Sequence, residues 1–204
     1  MSDPPELVAE LHLQLGTALT GARELDRAQQ ELESAIASAE GFERATYVAL
    51  SARTTRLGVL GMTRQHQAVI DAATETLPEA IEHFGPQSLI VAGLYINRGT
   101  AQTHLGHYED AVADLKRGLA GDRNASAQLG VTAAQALHNL GLTLTHLGRT
   151  DEALTVYREA YDRKLELLGD DSRSASTTAN NLGYLLLKLD RPREALLWLH
   201  PSPL

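Results

Sequence analysis

Between residues 134 and 147 the apolar positions Leu137, Leu140, Leu144 and Leu147 recur at intervals of three and four. That spacing places them on one face of a helix. Gly148, Arg149 and Thr150 interrupt the pattern, and Asp151 and Glu152 follow where carboxylates favour the positive end of a helix dipole. A second apolar stripe runs through Ala153, Tyr157, Ala160 and Leu168 and stops at Gly169, Asp170 and Asp171. The segment predicts a helical hairpin in which small Gly and Ala mark the close approach of the two helices.

The same phrase recurs. "HNLGLTLTHLG" at 138–148 is followed by "NNLGYLLLKLD" at 180–190, and the glycines Gly16, Gly58, Gly99, Gly141 and Gly183 stand 42, 41, 42 and 42 residues apart. In four units an Ala lies twelve residues after the glycine: Ala28, Ala111, Ala153 and Ala195. A fixed period of this size is the mark of one supersecondary unit stacked repeatedly. It predicts a single array over residues 1–204, with units at about 5–40, 45–84, 88–121, 125–168 and 172–200. The second unit departs from the pattern, because Ala68 follows Gly58 by only ten residues and Pro78 falls inside a helical stretch. A kink or shifted turn is expected there.

These units resemble tetratricopeptide repeats, whose pattern is a Leu-Gly pair in the first helix, then an Ala and a large apolar residue in the second. Leu15, Gly16, Ala28 and Leu32 meet it, as do Leu140, Gly141, Ala153 and Tyr157, and Leu182, Gly183, Ala195 and Leu199. In the third unit, "NRGTAQTHLGHYEDAVADL", Arg98 replaces the Leu; the Trp and Pro of the full pattern are missing throughout. The usual period is about 34 residues, so the longer units here are similar to repeats of the kinesin light chain type. The resemblance implies an all-α fold, a right-handed α-solenoid of about five helical hairpins. It also implies a non-catalytic module that holds a peptide or partner-protein segment on the concave side lined by the first helices.

The ends fit a solenoid unequally. Asp3 is placed to cap the first helix, with Pro4 and Pro5 in its opening turn and Glu6 three residues after Asp3. The segment "REALLWLHPSPL" is half of a second helix with no polar capping helix after it. Leu196, Trp198 and Leu199 are therefore expected to form an apolar end, covered by a second copy in a homodimer or by further sequence.

Composition narrows the chemistry. Aromatics are 4% of the 204 residues while Ala and Leu are abundant, which favours helices. The net charge is −8 and no stretch gathers Lys and Arg into a basic stripe, so nucleic acid is an unfavoured partner. There is no Cys, no basic-then-apolar leader and no apolar run near 18 residues; the expectation is a cytoplasmic protein without a membrane span. Nucleophile-elbow, zinc-protease and phosphate-loop motifs are missing, so neither catalysis nor a cofactor is expected. His104, His138 and His146 carry the rival reading, an enzyme or metal protein, but lack converging carboxylates. Glu109-Asp110, Asp151-Glu152 and Asp170-Asp171 are expected to serve helix dipoles and caps.

The candidate partner surface follows from the period. Counting from each glycine, positions −6, −3, −2, +1, +4 and +5 share one face of the first helix. At −2 the units carry Gln14, Arg56, Asn97, Asn139 and Asn181. An amide both donates and accepts, which suits a peptide backbone of any sequence. In the repeats it resembles, Asn at this place contacts bound peptide, which implies that role for Asn97, Asn139 and Asn181; the alternative is that the amides tie neighbouring repeats together. Thr100, His104, Gln135, His138, Leu142, His146, Asn180, Tyr184 and Lys188 complete the face. Lys or Arg is missing at −3 and +1, which disfavours a terminal-carboxylate clamp. A second binding-protein reading is a sensor or oligomerisation domain of a larger regulator.

Overall fold

The computed structural model describes residues 4–121, 130–169 and 172–199. Asp3, Asp170 and Asp171, assigned to caps above, lie outside them. Among the described residues the chain forms ten α-helices and a short 3-10 turn at Glu43–Ala45. Four pairs of helices form hairpins, α1 (Pro5–Gly21) with α2 (Leu25–Ala39), α3 (Thr46–Met62) with α4 (His66–Phe84), α7 (Gly130–His146) with α8 (Thr150–Leu168), and α9 (Arg173–Lys188) with α10 (Pro192–Leu199); α5 (Leu89–Leu105) and α6 (Tyr108–Gly121) follow one another between them. The chain divides into two compact units, Met1–Ala101 and Gln102–Leu204, and the division falls within α5.

The same turn follows α1, α3, α5, α7 and α9. Arg23, Arg64, Gly106, Gly148 and Asp190 all have positive φ, between 56° and 83°. In each case the next backbone N–H reaches the carbonyl five residues back: Glu24 to Leu19, Gln65 to Leu60, His107 to Gln102, Arg149 to Leu144 and Arg191 to Leu186, at 2.9–3.0 Å. This 6→1 bond satisfies a carbonyl that the helix end would leave orphaned. The five turn residues are 41, 42, 42 and 42 apart, so they form a second ruler, independent of the glycines.

The two rulers disagree in the second repeat, and the turn is the truer one. Each turn residue lies seven after its mark in repeats one, three, four and five, which puts the second mark at Leu57 and not at Gly58. The buried stripe of the second helices agrees. Ala28, Leu32, Ala35 and Ala39 in α2, and Ala153, Tyr157, Ala160 and Lys164 in α8, lie 12, 16, 19 and 23 after Gly16 and Gly141; Val69, Ala73, Thr76 and Ala80 in α4 lie at the same distances after Leu57. Pro78 sits inside α4, which runs on as one helix to Phe84.

The packing at the mark explains why a glycine is needed in some repeats and dispensable in the second. A Cβ on Gly16 would stand 2.7 Å from Leu32 Cγ, one on Gly141 2.7 Å from Tyr157 Cδ1, and one on Gly183 2.7 Å from Leu199 Cγ. In the second repeat the sizes are exchanged: Leu57 is the large partner, Ala73 the small one, and both belong to one buried cluster with Leu50, Val69 and Leu77. Gly58 meets nothing within 4 Å. Gly58→Ala is accordingly expected to raise stability by up to about 1 kcal/mol through helix propensity, read as a shifted urea midpoint. A loss of stability would mean that Gly58 is a packing position after all.

Candidate partner-binding surface

The first-helix face has to be read separately in the two compact units. In the first, the carbonyl of Thr54 accepts a hydrogen bond from Asn97 Nδ2 at 3.5 Å, so this amide ties its repeat to the one before. Thr100 is half-buried on the same helix. Arg56, assigned above to the −2 series, stands at −1 once Leu57 is the mark; Thr55 takes −2, and its hydroxyl donates to Ser51 O at 2.9 Å.

In the second unit the expected face splits in two. Gln135, His146, Asn180, Tyr184 and Lys188 are exposed, His104 is exposed at the end of α5, and Asn139 and Leu142 are half-buried. Gln135 Nε2 donates to Asn139 Oδ1 at 3.3 Å along α7. The His146 ring stacks on Tyr108, with centroids 4.6 Å apart and planes 4° off parallel. Lys188 Nζ lies 4.8 Å from the centre of the Tyr184 ring, a cation held against a π face. Asn181 is half-buried, and its side chain hydrogen-bonds the hydroxyl of Tyr157 in the preceding repeat. Two members of the Asn ladder, Asn97 and Asn181, thus bridge adjacent repeats.

His138 corrects the sequence expectation. It is 7% exposed, because Thr178 of the next repeat covers it and meets Nδ1 at 3.0 Å, while Tyr157 stands edge-on at 5.8 Å. Position −3 faces the following repeat rather than open solvent. Lys164, which sequence reasoning passed over, completes this buried polar cluster: Nζ donates to Thr178 Oγ1 at 2.9 Å, Gln135 Oε1 at 3.2 Å and Ser174 O at 3.3 Å. Lys164 stands four residues after Ala160 on the buried stripe of α8, which was the available signal. Burial lowers the Lys164 ammonium to about 8, and burial and then the Lys164 charge lower His138 to about 4.

The apolar end is also smaller than expected. Trp198 packs edge-on against Tyr161 at 5.1 Å, and Leu199 fills the space above Gly183. Leu196 stays exposed, together with Leu197 and Leu187. Of the paired acids, Glu152 takes two hydrogen bonds from Arg149, at 2.6 and 2.7 Å, and one from Lys116 at 3.3 Å. Among the described residues no group of three or more His, Cys, Asp or Glu is placed to share a metal ion.

A crevice of about 520 Å³ opens in the first unit, between α2, α3 and α4 and away from the expected face. Arg53 pairs with Glu79 at 2.5 Å and Arg56 with Glu33 at 3.5 Å inside it. A smaller one of about 350 Å³ occupies the equivalent place between α6, α7 and α8, where Lys116, Leu119, Ala120, Glu159 and Arg163 stand at the repeat positions of Glu33, Ile36, Ala37, Glu75 and Glu79. The crevices are a consequence of the period.

Comparison with known proteins matches this picture. The tetratricopeptide repeat family model matches residues 132–199. No curated protein sequence matches the chain. Among solved structures, BtubC (BKLC) from P. vanneervenii superposes with a TM-score of 0.78 at 16% identity, over 99% of this chain and 87% of that one. The nearly identical TPR-like repeats of a Podosopora anserina protein, described as kinesin light chain, give 0.71 at 14% identity, over 97% and 94%. MamA from Desulfovibrio magneticus RS-1 gives 0.62 at 14%, over 97% and 92%. Repeats of this architecture serve in general as scaffolds for protein partners, and no helix among the described residues is long and apolar enough to cross a membrane. Residues 132–199 are tetratricopeptide repeats, and the chain has the α-solenoid fold of tetratricopeptide repeat proteins.

Proposed function

We propose that the chain is a non-catalytic interaction module that holds an extended, acidic segment of a partner protein on the first-helix face of residues 102–204. The observation that carries this reading is the distribution of charge. The chain has a net charge of −8, yet α7 (GVTAAQALHNLGLTLTH) and α9 (RSASTTANNLGYLLLK) contain no Asp or Glu. The second helix α8 between them carries Asp151, Glu152, Glu159, Asp162 and Glu166. What the first helices expose instead is Gln135, His146, Asn180, Tyr184 and Lys188. Amides pair with a peptide backbone, the Tyr184 ring supplies apolar area, and Lys188 attracts carboxylates.

The test is selection from a random peptide library, followed by titration of a selected synthetic peptide. Acidic peptides are expected to be enriched, and Tyr184→Ala with Lys188→Glu is expected to weaken their binding at least about tenfold with helicity unchanged. Binding should also fall with added salt. Peptides that bind the double variant as tightly as the parent protein would place the site elsewhere.

A further inference from the structure

The repeat-to-repeat interface can be read position by position, and among the described residues α1 on one side and α9 with α10 on the other each expose one half of it. Five residues before the mark, Ala52, Leu94, Ala136 and Thr178 are all fully buried; the same position in the first repeat is Leu11, 55% exposed. Two residues after the mark, Val59, Ala101, Thr143 and Leu185 are buried, whereas Ala18 is exposed. Ala52 and Val59 show what these positions do: they pack with Ala28, Leu32 and Ala35 of the preceding repeat. In α1 they are joined by exposed Leu7 and Leu15 in a stripe of leucines at every fourth residue, the spacing of one helix face.

The other half lies on α9 and α10. Thirteen residues after the mark, Val112 and Leu154 are buried at 7% and 4% and Gln29 and Ile70 are half-buried, while Leu196 is 57% exposed. Four residues after it Thr103 is buried, Thr20, Gly61 and Thr145 are half-buried, and Leu187 is exposed. Thr103 meets Thr143 of the next repeat hydroxyl to hydroxyl at 2.8 Å. At the ends the same two places hold Leu187 and Ala18, a large and a small apolar residue, which suits a dry contact. Asn97 Nδ2 reaches Thr54 O across an internal junction; the corresponding pair at the ends is Gln14 and the carbonyl of Asn180, again a primary amide and a backbone acceptor.

We propose that the chain associates head to tail with a second copy of itself, Leu11, Leu15 and Ala18 of one copy packing on Tyr184, Leu187 and Leu196 of the next as one repeat packs on another within the chain. The surfaces joined are different, so the contact is heterologous and each added copy leaves one free face at either end. Tyr184 also serves the peptide surface proposed above, but Leu11 and Leu15 do not. Leu11→Glu therefore leaves capture of a selected peptide by the dilute, unassociated protein unchanged, and either proposal can fail without the other.

Sedimentation velocity on the 204-residue chain tests this. The average mass of the parent protein is expected to rise with concentration beyond a dimer. Leu11→Glu and Leu196→Glu, both at exposed sites, are each expected to weaken association at least about tenfold with helicity unchanged. Mixed in equal amounts, they retain one sound face apiece and are expected to form a dimer that grows no further. Should either Glu variant lose helicity, Leu11→Gln and Leu196→Gln replace the pair. A parent protein that stays monomeric at several hundred micromolar would overturn the proposal. So would association insensitive to Leu11, which signifies a symmetric pairing of the α10 ends, or a mixture that stays monomeric.

Discussion

Gly141→Leu combined with Tyr157→Ala is expected to cost less stability than either change alone. A Cβ on Gly141 would already stand 2.7, 2.8 and 3.0 Å from Tyr157 Cδ1, Cε1 and Cγ, so a leucine there displaces the ring or parts the helices. Overpacking of this kind costs about 1–3 kcal/mol and at times more. Tyr157 is among the largest fully buried side chains, and its truncation to Ala leaves a cavity worth about 3–5 kcal/mol. The second repeat shows that the opposite choice of sizes packs as well, with Leu57 at 2% exposure and Ala73 at 0%. The double variant writes that choice into the fourth repeat. Its residual cost is the loss of the Tyr157 hydroxyl bonds to Thr145 and Asn181 and of the ring against His138. A double-mutant cycle by urea unfolding should give a favourable coupling of about 2 kcal/mol or more. Additive costs would show that the glycine acts through the backbone and not through the volume opposite it.

The same exchange explains what the sequence could and could not disclose. The hairpins and their period were legible because helix-breaking turns and the small residue at the crossing recur at fixed places in four of the five repeats. In the second, the crossing is made by a large residue on α3 and a small one on α4, so a search for glycine finds Gly58, one place too late. The left-handed turn residue keeps the register, but there it is Arg64, a residue type that does not advertise positive φ.

The partner surface was legible only in part. Helical periodicity says which residues share a face of one helix, and it is silent on which part of that face the next repeat covers. That is why His138 was expected in the open and lies under Thr178, while Asn180 at the equivalent place is exposed. The buried ammonium of Lys164 escaped for a related reason. Its place four residues after Ala160 marks the buried stripe, but on a helix otherwise rich in charge only the packing of α7 and α9 shows what the ammonium meets there.

That buried cluster sets the last expectation, a loss of stability on mild acidification. His138 is held neutral down to about 4 by burial and then by the Lys164 charge, against 6.5 for an ordinary imidazole. The unfolded chain therefore binds a proton that the folded chain refuses between those values. Stability falls as the pH drops from about 6.5 and levels off near 4, at about 1.4 kcal/mol per pH unit and about 3 kcal/mol in all. Lys164 acts with the same sign in another window: lowered from 10.5 to about 8, it makes the fold gain stability as the pH rises from about 8 to 10.5. Carboxylates paired at the surface, such as Glu152 with Arg149, also lose their charge in acid, so the profile of the parent protein is a sum. His138→Gln isolates the imidazole, because Gln can keep a bond to Thr178 and does not titrate. Urea unfolding from pH 7 to 4 should show a shallower decline for that variant than for the parent protein. Parallel profiles for the parent and His138→Gln would mean that the imidazole takes up its proton without disturbing the cluster, with Thr178 turning its hydroxyl to Ser174 O to accept the new N–H.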